Sequence, residues 1–249
     1  MATWQKIVVP IVVCAAIAGG YLAYVFHSRH AEDEAATKQT VAQSNYSQDD
    51  LAVVREHFYS SFDSAKGLEG TDVWMKTGYA MPYYPYAGQV QFAKRVGLLP
   101  PAEKMHVVKL VKAVAPAKED DRIDHGTRQY FVAFTLPEDK DAVKDGKPAT
   151  FATPIGVADG SDEKVYSDRL LYYDAPQKIY DNWPQDVWAA VAAHTPKVGM
   201  SELQTQMALG VNQQSDSQDL GNRTVTYDAD GKKWIVTFVK NKATAVKQG

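Results

Sequence analysis

The sequence predicts an α+β protein in three parts: an N-terminal transmembrane helix, a β-rich middle domain of the SH3-like kind, and a small C-terminal unit with a helix on an antiparallel sheet. Three observations carry this. Ile7 to Phe26 is 20 residues without a charge. Five short runs of β-branched and aromatic residues then lie between Gly70 and Asp174, punctuated by Gly and Pro. Finally Ser201 and Gln204 open a short helix ahead of two alternating strands. The boundaries that follow are 1–30 for the anchor, 31–50 for a polar tether, 51–182 for a helix plus the β-rich domain, and 183–249 for the C-terminal unit.

The first run has the length of a bilayer-spanning helix and carries Trp4, Tyr21, Tyr24 and Phe26 toward its borders, where amphipathic aromatics settle among headgroups. A cleaved signal peptide is the competing reading, with Lys6 as its basic start and Ala16-Ile17-Ala18 as the small-residue cleavage site. The apolar run continues to Phe26 past that site, which favours an anchor in the lipid bilayer through Ile7 to Phe26. The short head places the amino terminus in the cytoplasm and the bulk of the chain outside the cytoplasmic membrane. Cys14 follows Val13 rather than the small residue of a lipoprotein cleavage box, so it reads as an apolar thiol.

From Ala31 to Asp50 the chain is polar and lacks a sustained period, as a tether does. Asp49 or Asp50 is placed to cap a helix in which Leu51, Val54, Phe58 and Phe62 recur at helical spacing, ending near Gly67. The strands expected next are Val73 to Met75, Val107 to Val114, Tyr130 to Thr135, Phe151 to Val157 and Val165 to Tyr173. A helix with Asn182 as its cap, Pro184 in its first turn and Asp186 near its positive end presents Val187, Trp188 and Val191 inward. The next helix has an S-x-x-Q capping box at Ser201 and Gln204, buries Leu203 and Met207, and stops at Gly210. Arg223 to Tyr227 and Trp234 to Phe238 alternate as a hairpin.

This last block, VGMSELQTQMALG followed by TVTY and WIVTF, resembles the BamE (SmpA/OmlA) family of envelope lipoproteins, whose members carry a G-M-T-x-x-Q-V-x-x-x-L-G helix before a three-stranded sheet. Gly199, Met200, Ser201, Gln204, Leu209 and Gly210 fall at matching positions, as do Tyr227 and Phe238 in the strands. Thr205 stands where the family has an aliphatic residue, no proline follows Gly210, and the expected transmembrane anchor stands where the family has a lipidated cysteine. The resemblance implies a small α+β module outside the cytoplasmic membrane that binds envelope proteins and lipid and performs no reaction.

Composition narrows the chemistry. Beyond residue 30 the chain has 25 basic against 30 acidic side chains, so nucleic acid is not an expected partner. One cysteine forms no internal disulfide or cysteine cluster. The six histidines, at 27, 30, 57, 106, 125 and 194, lack metal-ligand spacing, and no phosphate-binding glycine loop or nucleophile elbow occurs. No cofactor, metal or catalytic residue is assigned. The acidic stretches around Glu119 to Asp124, Asp139 to Asp145 and Asp159 to Glu163 read as solvated turns, since the calcium ladder fails at Val143. The one anomaly is YAMPYYPY, where Tyr79, Tyr83, Tyr84 and Tyr86 are candidate partner-binding residues; the alternative is that these rings cover the domain's own core. The function expected is a non-catalytic binding or scaffold module of the envelope, with a hydrolase of dispersed catalytic residues as its rival.

Overall fold

Tyr130 to Phe134 is apolar at every position, and a strand through such a run must be covered on both faces. The computed structural model of the protein describes Tyr21, Tyr24 and residues 50–249 apart from 117–125, 138–142, 145–146, 160, 211 and 230. In it β5 (Arg128–Thr135) is a central strand of the larger of two main sheets, buried from Gln129 to Phe134. That sheet also holds β1 (Asp72–Met75), β2 (Met81–Pro85), β3 (Gly97–Leu99), β4 (Lys104–Val114), β8 (Thr150–Asp159), β9 (Asp162–Val165) and β10 (Leu171–Tyr172). Its order is β10-β1-β4-β5-β8-β2-β3, with β9 also paired to β8; β6 (Val143–Lys144) and β7 (Lys147–Pro148) form a separate small pair.

Tyr130, Val132 and Phe134 face a core with Val73, Met105, Leu110 and Ile155, while Phe131 faces Tyr84, Phe92 and Ala152 on the other side. A register shift between Val107 and Lys109 lets Met105, Val107 and Leu110 enter the same core despite their uneven spacing. One edge of β8 serves two partners, β2 at Phe151 and Ala152 and β9 from Gly156 onward. Gly156 is needed there because a Cβ would lie 2.4 Å from the Lys164 carbonyl oxygen.

The helix expected from Leu51 to Gly67 shrinks to α1 (Phe62–Ala65), and residues 51–60 carry no helix or strand. This segment is a strap. Ala52 and Val54 pack inward while Leu51 and Val53 are exposed, so the apolar residues follow a two-residue alternation rather than a helical face. Carboxylates hold its main chain. Asp168 accepts from the amides of His57 (2.9 Å) and Phe58 (2.7 Å) and from the Tyr173 hydroxyl (2.7 Å), and Glu163 accepts from the Phe62 amide at 2.7 Å. Arg55 pairs with Asp174 at 3.3 Å. Burial acts to raise the Asp168 carboxyl, but the donated hydrogen bonds and Lys76 together bring it below the ordinary carboxylate range. Glu163, an acid given no role by the sequence reading, is lowered chiefly by the Phe62 amide.

The second main sheet runs β11 (Asn212–Ser215), β12 (Thr224–Ala229), β13 (Lys232–Val239), β14 (Lys242–Gln248) in antiparallel order. Four short helices precede it: α2 (Ser167–Leu170), α3 (Pro176–Ile179), α4 (Gln185–Ala192) and α5 (Glu202–Leu209). On α5 the capping box forms as spaced, with Gln204 N–H on the Ser201 hydroxyl at 3.1 Å and Ser201 N–H on Gln204 Oε1 at 2.8 Å. Gly210 ends the helix at φ 92°. Pro184, not Asn182, is the N-cap of α4, and the tail is a full strand. Met207, Leu209, Val225, Tyr227, Val236 and Phe238 make the core between α5 and this sheet. Tyr172, Tyr180, Trp183 and Trp188 continue that core toward the larger sheet in a chain of ring contacts, with centroids 6.4, 4.5 and 5.1 Å apart.

Beneath the strap's first residue is a buried polar network. Asp50 accepts from the Ser201 hydroxyl (2.8 Å) and the Asn241 amide (2.9 Å), Asn241 Oδ1 accepts from the Glu202 amide (3.1 Å), and Glu202 binds Arg223 and the Gly221 amide. Each of these side chains is buried. Such a network is stabilising only while every member is satisfied.

The fold class departs from expectation. Strand accounts for 41% of the structure against 21% helix, so the protein is mainly β. Among the described residues no helix is long and apolar enough to cross a membrane, and the expected transmembrane helix at the N-terminus is not shown. Apart from Tyr21 and Tyr24, the run 7–26 lies outside the described residues, as does the tether before Asp50. The physical reason within the described body is plain: main-chain amides expected to close a helix after Leu51 are taken instead by distant carboxylates.

Two outcomes follow. Ser201→Ala removes a cap and leaves Asp50 short of a donor, so it should cost about 2 to 3 kcal/mol in urea unfolding, against about 3 to 5 for the core deletion Phe238→Ala. Because Asp168 is lowered on folding, the hold it exerts is present above the ordinary carboxylate value and lost as pH falls through its depressed one. Asp168→Asn should therefore speed tryptic cleavage after Arg55 at neutral pH; unchanged cleavage would show that the strap is held by other contacts.

Candidate functional site

The surface feature with the best claim to bind something lies where the tyrosine-rich segment meets β4. After β2 the chain turns at Tyr86, which bridges to Val90, and a 3-10 turn at Phe92–Lys94 lays Phe92 against Phe131 and Tyr84. Between this loop and β4 is a groove of about 380 Å³ lined by Tyr86, Gln89, Val90, Phe92, Val111 and Ala113, among others. Gly88, Lys112 and Val114 complete the lining, so polar and apolar surface share its walls about equally.

One rim of the groove is strand edge. β1 pairs with β4 only from Lys104 to His106, so beyond the register shift β4 has β5 on one side and no strand on the other among the described residues. The Leu110 amide points to that open side, because Glu69 Oε1 accepts it at 2.9 Å. Alternation along an antiparallel strand then turns the main-chain groups of Lys112 and Val114 the same way. Glu69 thus caps one open amide and leaves two residues of edge beside the groove.

The four candidate tyrosines are not gathered into one platform. Tyr84 is fully buried against Phe92 with centroids 5.4 Å apart, and Tyr83 packs on the opposite face against Phe151 at 5.4 Å. Tyr79 lies in an exposed turn, and only Tyr86 lines the groove. The alternation of β2 explains this division, since adjacent residues of a strand face opposite sides of the sheet. Reasoning from sequence did not single out Val111, Ala113 or Phe92; the apolar run 107–114 was the available signal, for its outer residues have no strand to cover them.

The other chemical grouping joins β1 and β4. Asp72 accepts from Lys104 Nζ at 2.9 Å and is 2.8 Å from His106 Nδ1, and those two partners hold its carboxyl below the ordinary range, His106 most. The arrangement fixes one ring nitrogen of His106, as a general base requires. Both residues of the pair are well exposed, and the second carboxylate oxygen engages a lysine rather than a nucleophile. Lys104 also lies over the Trp74 ring at 5.7 Å. Among the described residues no group of three metal-ligating side chains converges. The stretches 119–124 and 139–142 fall outside the described residues.

No family model, curated protein or solved structure matches the chain.

Proposed function

We propose that the body from Tyr46 to Gly249 is a non-catalytic binding module of the cell envelope that takes an extended segment of a partner protein along β4. The observation that carries this reading is the coincidence of a groove holding Val111, Ala113 and Phe92 with strand edge at Lys112 and Val114 that has no strand partner among the described residues. An added strand satisfies main-chain donors there while its alternate side chains enter the groove over Val111, Ala113 and Phe92. Support for an envelope setting comes from the uncharged run 7–26, whose composition directs a chain to the membrane or across it. The capped α5, its stop at Gly210 and the β12–β13 hairpin support an assembly role of the BamE-like kind for the C-terminal unit.

Val111→Asp places a charge in the groove at a half-buried position and should abolish capture of the partner in crosslinking from intact membranes, with the melting temperature changed little. Full capture by this variant would overturn the groove reading. A reporter fused after Gly249 should be active only outside the cytoplasm. A rival hydrolase built on the Asp72–His106 pair predicts loss of function in His106→Ala, whereas the binding reading predicts none.

A further inference from the structure

Charge is distributed unevenly along this chain. Residues 223–249 hold Arg223 and five lysines against Asp228 and Asp230, a net +4 in a protein whose total is −3. Arg223 is buried and spent on Glu202. The lysines are on the surface of the second sheet.

Strand register sorts them by face. Val225, Tyr227, Val236, Phe238 and Ala243 point to the core, so their neighbours point to solvent. Three rungs of that outer face are Lys242 opposite Val239, Ala245 opposite Thr237, and Lys247 opposite Ile235, and Lys233 follows opposite Asp228. Thr224 and Thr226 continue the second and third rungs on β12. At ~3.4 Å per residue and ~4.8 Å between strands, the three lysines bracket a patch roughly 20 Å long and one strand spacing wide. Lys240 extends it in the turn, where Lys240 and Asn241 both adopt left-handed backbone. Among the described residues, none of these lysines forms an ion pair. Ile235 and Val239 lie between them, 38% and 49% exposed.

We propose that this outer face of the second sheet docks an acidic segment of a partner protein, a site separate from the groove on β4 and independent of it. Charge complementarity selects an anionic partner. The hydroxyl of Thr226, set on the same face as the ammonium groups, offers a directional bond to a carboxylate, while those of Thr224 and Thr237 pair with each other at 3.2 Å. Asp228 at the end of the face opposes a uniform plane of anionic headgroups but meets a matching cation on a protein with ease. A discrete acidic segment therefore fits better than a lipid surface.

The test uses the full chain in detergent, poly-L-glutamate as the probe, and lysine acylation rates read residue by residue by mass spectrometry. Poly-L-glutamate should slow acylation of Lys233, Lys242 and Lys247 several-fold, leave Lys94 and Lys109, which lie outside this sheet, unchanged, and lose its effect in high salt. Lys242→Gln combined with Lys247→Gln should weaken its binding roughly three- to tenfold. Thr226→Val, which alters no charge, should weaken it roughly two- to tenfold. Equal slowing at every exposed lysine would overturn the proposal, as would no slowing at all. So would mixed phosphatidylcholine and phosphatidylglycerol vesicles protecting the three lysines as well as the polypeptide does, and so would an unchanged affinity in Thr226→Val. None of these results bears on capture at the groove, which Val111→Asp tests alone.

Discussion

The architecture depends on a strand that has no solvent face. Because Tyr130, Val132 and Phe134 point one way and Phe131 the other, β5 is stable only with apolar cover on both sides of the larger sheet. Cover on the first side comes from α1 and the turn at Leu68, which contribute Phe62, Ala65 and Leu68. On the second side the loop after β2 supplies Val90 and Phe92, and its reach falls short of the last residues of β4. The groove is the part of that face the loop does not fill. The groove is thus a by-product of how the core strand is covered.

Polar groups do a different task in this chain. Asp168, Glu163 and Asp174 contribute little to any core, yet they position the strap that joins the two sheets by taking its amides or its arginine. Each such bond is modest on its own. Their placement favours a non-helical path around His57 and Phe58, since an amide bonded to a carboxylate is unavailable to a helical carbonyl.

Local signals were readable and remote ones were not. The capping box at Ser201, the stop at Gly210 and the hairpin strands were visible because all their determinants lie within a few residues of one another. The runs 107–114 and 130–135 likewise declared themselves as strands. At Leu51, Val54, Phe58 and Phe62 the same apolar residues satisfy a helical spacing by coincidence. The carboxylates that decide the matter are more than 100 positions away, at Glu163 and Asp168. YAMPYYPY was conspicuous as composition, but Tyr83 and Tyr84 are parted by the pleat of β2 and cannot act as one surface. The open edge of β4 had no signal of its own, because it arises from the short length of β1.

Asp50 determines where mechanical load enters the body. Tension transmitted by the chain preceding it arrives first at Ser201 and Asn241, the N-cap of α5 and the turn between β13 and β14. These anchor points lie on α5 and the β13–β14 turn of the second sheet, while the later clasps lie on α2 at Asp168 and on β9 of the first sheet at Glu163. A pull is therefore shared in sequence, and the larger sheet feels it only after the buried carboxylate of Asp50 has let go. The strap behaves as a series of fasteners whose innermost member is the most shielded from water, so a pull from the preceding chain meets its buried end first.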